Sequence, residues 1–135
     1  MSDLPDVLPD AKAWLQSLQI VGNRVFFRLP SRPSNSPFIR ISRSGGGPQP
    51  NAEVGVTQPR VTVEIWGLMD TDYEAVRGAA LAIEQACHDV NRPTPIGSTE
   101  TVLLGANVLS TFDSPDPDTG WPRIIMSLAL DARTA

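Results

Sequence analysis

Residues 59–90 read PRVTVEIWGLMDTDYEAVRGAALAIEQACHDV, and they decide the fold. Arg60 to Trp66 alternates strictly. Val61, Val63 and Ile65 point one way, and Thr62, Glu64 and Trp66 the other, which is the period of a half-buried strand. Pro59 suits the start of such a strand, because a proline removes a ladder donor there at little cost. Gly67-Leu68-Met69-Asp70 breaks the strand. From Thr71 to Val90 the period changes. Tyr73, Val76, Ala80, Ile83, Cys87 and Val90 recur at helical spacing and form one apolar stripe. Thr71 and Glu74 match a capping box. Pro93 and Pro95 end the helix.

Outward from this strand–helix unit the elements are shorter. Pro9 and Asp10 suit a helix start, and Ala11, Trp14, Leu15 and Leu18 give an amphipathic helix to about Gln19. Gly22-Asn23 stops it. Residues 24–29 and 38–43 alternate as strands around a turn-rich connector, Pro30–Pro37, and suggest a hairpin with a broad loop. Residues 101–112 are extended, with Gly105 marking a bulge. Residues 123–130 form a last strand with Ile124, Met126, Leu128 and Leu130 inward. Ser44–Gln58 has no periodic signal and is expected to be a long loop, mobile until it docks. The fold expected from this order is α+β: a four- to five-stranded, mainly antiparallel sheet packed by two helices, one short and N-terminal, one long and central.

The chain has 135 residues, which suits one domain over 1–135. Gly and Pro together make about 17% of it, against an average near 12%. The net charge is −4, with one cysteine and one histidine. Residues 22–62 carry six arginines and one acid, a local charge of +5, and the remainder carries −9. Opposite charges on separate surfaces allow copies to meet. No apolar run reaches the roughly 18 residues of a membrane helix, and MSDLPDVLPDAK lacks the basic start of a secretory signal.

Chemistry finds little footing. A single Cys and a single His cannot supply a Cys2His2 or three-His zinc site. Cys87 sits on the apolar stripe, and neighbouring helical side chains diverge, so Cys87 and His88 do not form a nucleophile–base pair. Ser44-Gly-Gly-Gly-Pro48 lacks the lysine and helix of a phosphate loop. Asp113, Asp116 and Asp118 lack the spacing of a calcium loop. Arg40, Arg43 and Arg60 with Phe38 form a basic, aromatic set, but the chain is acidic overall. Trp66 stands off the core face, packed either under its own loop or against a partner. No catalytic, metal or cofactor site is expected.

Three stretches carry a resemblance. They are Gln58-Pro-Arg-Val-Thr-Val-Glu-Ile-Trp-Gly67, Asp72-Tyr-Glu-Ala75 with its alanine-rich helix, and Asp116-Pro-Asp-Thr-Gly-Trp-Pro-Arg123 before the last strand. In this order the chain resembles the tail terminator (tail completion) proteins of siphophages, actinobacteriophage type. The resemblance implies a structural protein rather than an enzyme. It implies a ring, usually of six subunits, that caps the tail tube, stops its polymerisation and joins the head. The implied partners are further copies of the chain, the major tail tube protein and a head–tail connector protein. DNA would pass through the lumen only as cargo, and no membrane is involved. The implied place is the head-proximal end of the virion tail, assembled in host cytoplasm. Candidate interface or lumen residues are Arg40, Arg43, Arg60, Trp66, Asp116, Asp118 and Trp121. A head-closure protein is the neighbouring alternative, and a small ligand-binding or enzymatic α+β domain is the alternative of another class.

Overall fold

The computed structural model describes residues 7–31, 33, 35–48, 57–97 and 101–134. Helix α1 spans Val7–Ser17 and helix α2 Tyr73–Asp89. Strands β1 (Val25–Phe26), β2 (Phe38–Pro48), β3 (Thr57–Trp66), β4 (Thr94–Ile96), β5 (Thr101–Asp113) and β6 (Arg123–Thr134) form one sheet in the order β1-β2-β3-β6-β5-β4. The sheet curls into a half-barrel of mixed direction. This corrects the expected four- to five-stranded, mainly antiparallel sheet.

Two short strands make the difference. β1 contains only Val25 and Phe26, and it pairs parallel to β2 through Ile39 and Arg40. Residues 24–29 therefore form no hairpin with 38–43. A tight turn cannot close a parallel pair, so residues 27–37 carry the chain back over that distance. Val25 is buried, whereas Phe27 and Leu29, two and four residues on, are exposed beyond the end of β1. β4 is hidden in the sequence by Pro95 and by its shortness. Thr94, Pro95 and Ile96 pair with Leu103, Val102 and Thr101 at the sheet edge, where a missing N–H is tolerated.

The long loop at Ser44–Gln58 is also narrower than its sequence suggests. β2 runs through the glycines to Pro48, and Gly46, Gly47 and Pro48 pair with Pro59, Gln58 and Thr57. A bulge separates Arg43 from Gly45, which takes a φ of 146°. Glycines carry no side chains to alternate, so this strand is silent in the sequence. The middle of that segment, 49–56, lies outside the described residues, as does the expectation that it orders on docking.

The core lies on one face of the sheet. Ile39, Ile41, Val61, Val63, Ile65, Ile124, Met126, Leu128 and Leu130 are buried there. Val76, Ala79, Ala80, Ile83 and Cys87 of α2 cover them. Each large aliphatic chain so buried contributes about 1.5–3 kcal/mol. Tyr73, expected on this stripe, is exposed, and its phenol reaches Asp113 instead.

α1 closes the curl. It packs against β1 and β2 at one end of the sheet order and against β4 at the other. Val7, Ala11, Trp14 and Leu15 enter the core. Gly97, with φ of 60°, follows β4 and lies flat against α1, where any side chain would meet the Asp10 carboxyl.

Candidate functional site

The residues singled out by sequence divide between two faces. On the sheet face opposite the helices, β2 and β3 set Phe38 directly across from Trp66 and Arg40 across from Glu64. The Phe38 and Trp66 rings stack at 6.1 Å, and Phe26 meets Phe38 edge-on at 6.2 Å. Arg40 donates to Glu64 at 2.6 Å, and the Trp66 indole N–H donates to the other carboxylate oxygen at 3.2 Å. Trp66 is only 4% exposed and Phe38 1%.

The lid over Trp66 is the β5–β6 connection. Trp121 meets Trp66 edge-on at 6.5 Å. The Arg123 guanidinium lies 4.9 Å from the Trp66 ring centroid. Arg123 also donates to the Ser114 carbonyl at 2.7 Å and stands 4.0 Å from Asp116. Asp116 shapes the turn, accepting from the Thr119 hydroxyl at 2.7 Å and the Thr119 backbone N–H at 3.0 Å. The Thr119 hydroxyl bond holds the Asp116 carboxyl below its usual range, helped by that N–H and by Arg123.

Four of the seven candidates therefore come together: Arg40, Trp66, Trp121 and Asp116. They do so within one copy. Trp66 packs under its own loop, and Arg40 is committed to Glu64. Arg43 and Arg60 stay apart from the cluster and exposed, and Asp118 is exposed on the same turn, where its backbone rather than its side chain acts on the Asp116 carboxyl. By register Arg60 shares the outer face with Glu64, whereas Arg43 sits opposite Val61 and shares the helix side. The sequence reading did not assign Phe26, Glu64 or Arg123 to this cluster. The cross-strand pairing of an aromatic with an aromatic and an acid with a base was the available signal.

A second surface lies between α2 and β5. Its walls include Tyr73, Leu81 and Glu84 on the helix and Thr111, Phe112 and Asp113 on the strand. The Tyr73 hydroxyl donates to Asp113 at 2.9 Å, and the Thr111 hydroxyl to Glu84 at 3.2 Å. The bond to Asp113 raises the Tyr73 pKa. Leu81, Leu109 and Phe112 are about half exposed along this side.

Among the described residues no three His, Cys, Asp or Glu side chains converge as metal ligands would. No helix among them is long and apolar enough to cross a membrane.

No known protein family matches the sequence, and no curated protein does. Solved structures do. Seventeen chains match. One belongs to the virion of a native gene transfer agent particle. It shares 15% identity and a TM-score of 0.53, over 90% of this chain and 85% of that one. At this identity the likeness is one of fold.

Proposed function

We propose that the chain is a structural virion protein, and within that class a tail terminator. The observation that carries this reading is the fold shared almost end to end with a chain of the gene transfer agent virion. The order of the three sequence stretches that resemble tail terminators supports the finer assignment. The protein acts through surfaces and is not an enzyme. Copies form a closed ring, six in the family pattern, on the head-proximal end of the tail tube. One face of the ring stops addition of tube protein, and the other receives a head–tail connector. DNA passes through the lumen. The segregated charge, with exposed Arg43 and Arg60 in the basic segment, suits head-to-tail contacts between copies.

The test is assembly of the tube protein with and without this chain. Tubes of limited length, capped by the chain at one end, are expected. Overlong tubes without the chain and no change on adding it would overturn the terminator role. Binding only to portal-side proteins would assign the chain to head closure instead.

A further inference from the structure

The sheet ends in two strand edges that are open over the same height. On the side of β5 away from β6, β4 pairs only with Thr101–Leu103. Among the described residues, the stretch from Gly105 to Asp113 has no strand beside it there. On the side of β2 away from β3, β1 pairs only with Ile39 and Arg40, and the stretch from Ile41 to Pro48 is open in the same sense. The register across β3 and β6 sets Ile41 level with Thr111 and Gly45 level with Asn107.

The β5 edge is interrupted by one register shift, between Val108 and Ser110, and is otherwise regular from Gly105 to Asp113. It has no lysine and no proline, and Leu109 and Phe112 are exposed on it. Such an edge is a template for another strand. The two edges also differ in charge. Arg43 is the ionised side chain of the open β2 stretch. Asp113 ends the open β5 stretch, and Glu84 and Arg77 line the groove beside it, which leaves that side net acidic. Strands that join edge to edge keep their faces. Arg43 shares the helix side with Val61, and Thr111, which bonds Glu84, shares it with Met126. A joined sheet therefore brings Arg43 of one copy to the face that bears Glu84 of the next.

We propose that the open edge of β5 is the docking site for the open edge of β2 of a second copy, with Arg43 meeting Glu84. The contact is heterologous, so each copy offers one edge and receives the other, and repetition closes a ring. Joining the edges needs only a short offset along the strands to clear β1 and β4. A closed ring of strands takes up such shear by tilting them. The proposal rests on the ring reading above and says which surfaces build the ring.

The test uses the full chain, alone and on tube ends, with assembly followed by light scattering and electron microscopy. Arg43→Glu and Glu84→Arg, each folded as judged by its melting curve, are expected to weaken association about tenfold or more. Mixing the two variants restores opposite charges at every contact of an alternating ring and should recover most of it. Wild-type rings with both variants assembling equally well would overturn the edge assignment and leave the ring standing. Failure of the mixture to recover would overturn it too. A wild-type chain that stays a single copy, alone and on tube ends, would overturn the ring reading and this proposal with it.

Discussion

Arg123 lies over the Trp66 ring, 4.9 Å from its centroid, while its Nε holds the Ser114 carbonyl at 2.7 Å. One side chain thus fixes both a buried aromatic and the loop that covers it. Trp66→Ala empties a site that is 4% exposed and is expected to destabilise the fold by about 3–5 kcal/mol. Arg123→Lys keeps the charge but not the planar fork, and should release residues 114–122 to faster amide exchange. Equal protection of that loop in the lysine variant would count against this role.

Arg40 and Glu64 form a partly sheltered ion pair, with side chains 35% and 12% exposed. Removing Arg40 leaves the more buried partner with only the Trp66 indole N–H. Arg40→Ala should therefore cost about 1–3 kcal/mol, and the double variant Arg40→Met with Glu64→Gln less than that. Urea unfolding of the three variants decides it. A double variant no better than Arg40→Ala would show that the pair, rather than an orphaned carboxylate, carries the energy.

Gly97 and Gly78 make opposite cases. Gly97 combines a φ of 60° with the Asp10 carboxyl against it, so Gly97→Ala should lower stability by about 1–3 kcal/mol. Gly78 lies on the exposed side of α2 with open space around it. Gly78→Ala should raise stability by about 0.5–1 kcal/mol. Thermal melts that rank the two variants the other way would refute the account of α1 and β4.

Burial pushes the Cys87 thiol up to about 11 from its usual 9.0. The unfolded chain then loses the proton before the native one does. Stability should be insensitive to this group below pH 9 and fall as pH rises from 9 toward 11. The native thiol should also react slowly with a thiol reagent at neutral pH and quickly in denaturant. Removing the thiol by Cys87→Ala should flatten the alkaline limb.

Asp72 behaves in the opposite sense. Its carboxylate accepts from the Ser36 hydroxyl at 2.7 Å and from the Leu68 N–H at 2.9 Å, and these bonds, Ser36 first, lower its pKa below 3.8. The clip is complete above the usual carboxylate range and is lost as pH falls through the lowered value. Ser36→Ala should move the Asp72 titration up, measured by carboxyl NMR shifts. An unmoved titration would remove Ser36 from the clip.

Much of this molecule was legible where side chains alternate. Val61, Val63 and Ile65, and Ile124 through Leu130, point as their periods predict, and Cys87 is in the core. The bulge at Gly105 is a register shift between Leu103 and Gly105. What the sequence hid has physical reasons. Gly45–Gly47 pair through backbone alone. Thr94–Ile96 is too short to show a period and contains a proline. Tyr73 fits an apolar stripe by spacing, but its hydroxyl finds Asp113 at the rim. The site was half legible: the pattern set Trp66 off the core face, yet its cover comes from Arg123 and Trp121, far along the chain.

α1 touches strands that enter the chain long after it does. Its partners β1 and β2 follow within a few dozen residues, but β4 arrives only at Thr94. During synthesis α1 thus waits for one of the later strands. A contact so distant in sequence must bear the closure entropy of the whole intervening chain before it forms. Helix α1 is made before β4 and seated only after it, so the curl of the sheet is sealed by an element that precedes every strand in it.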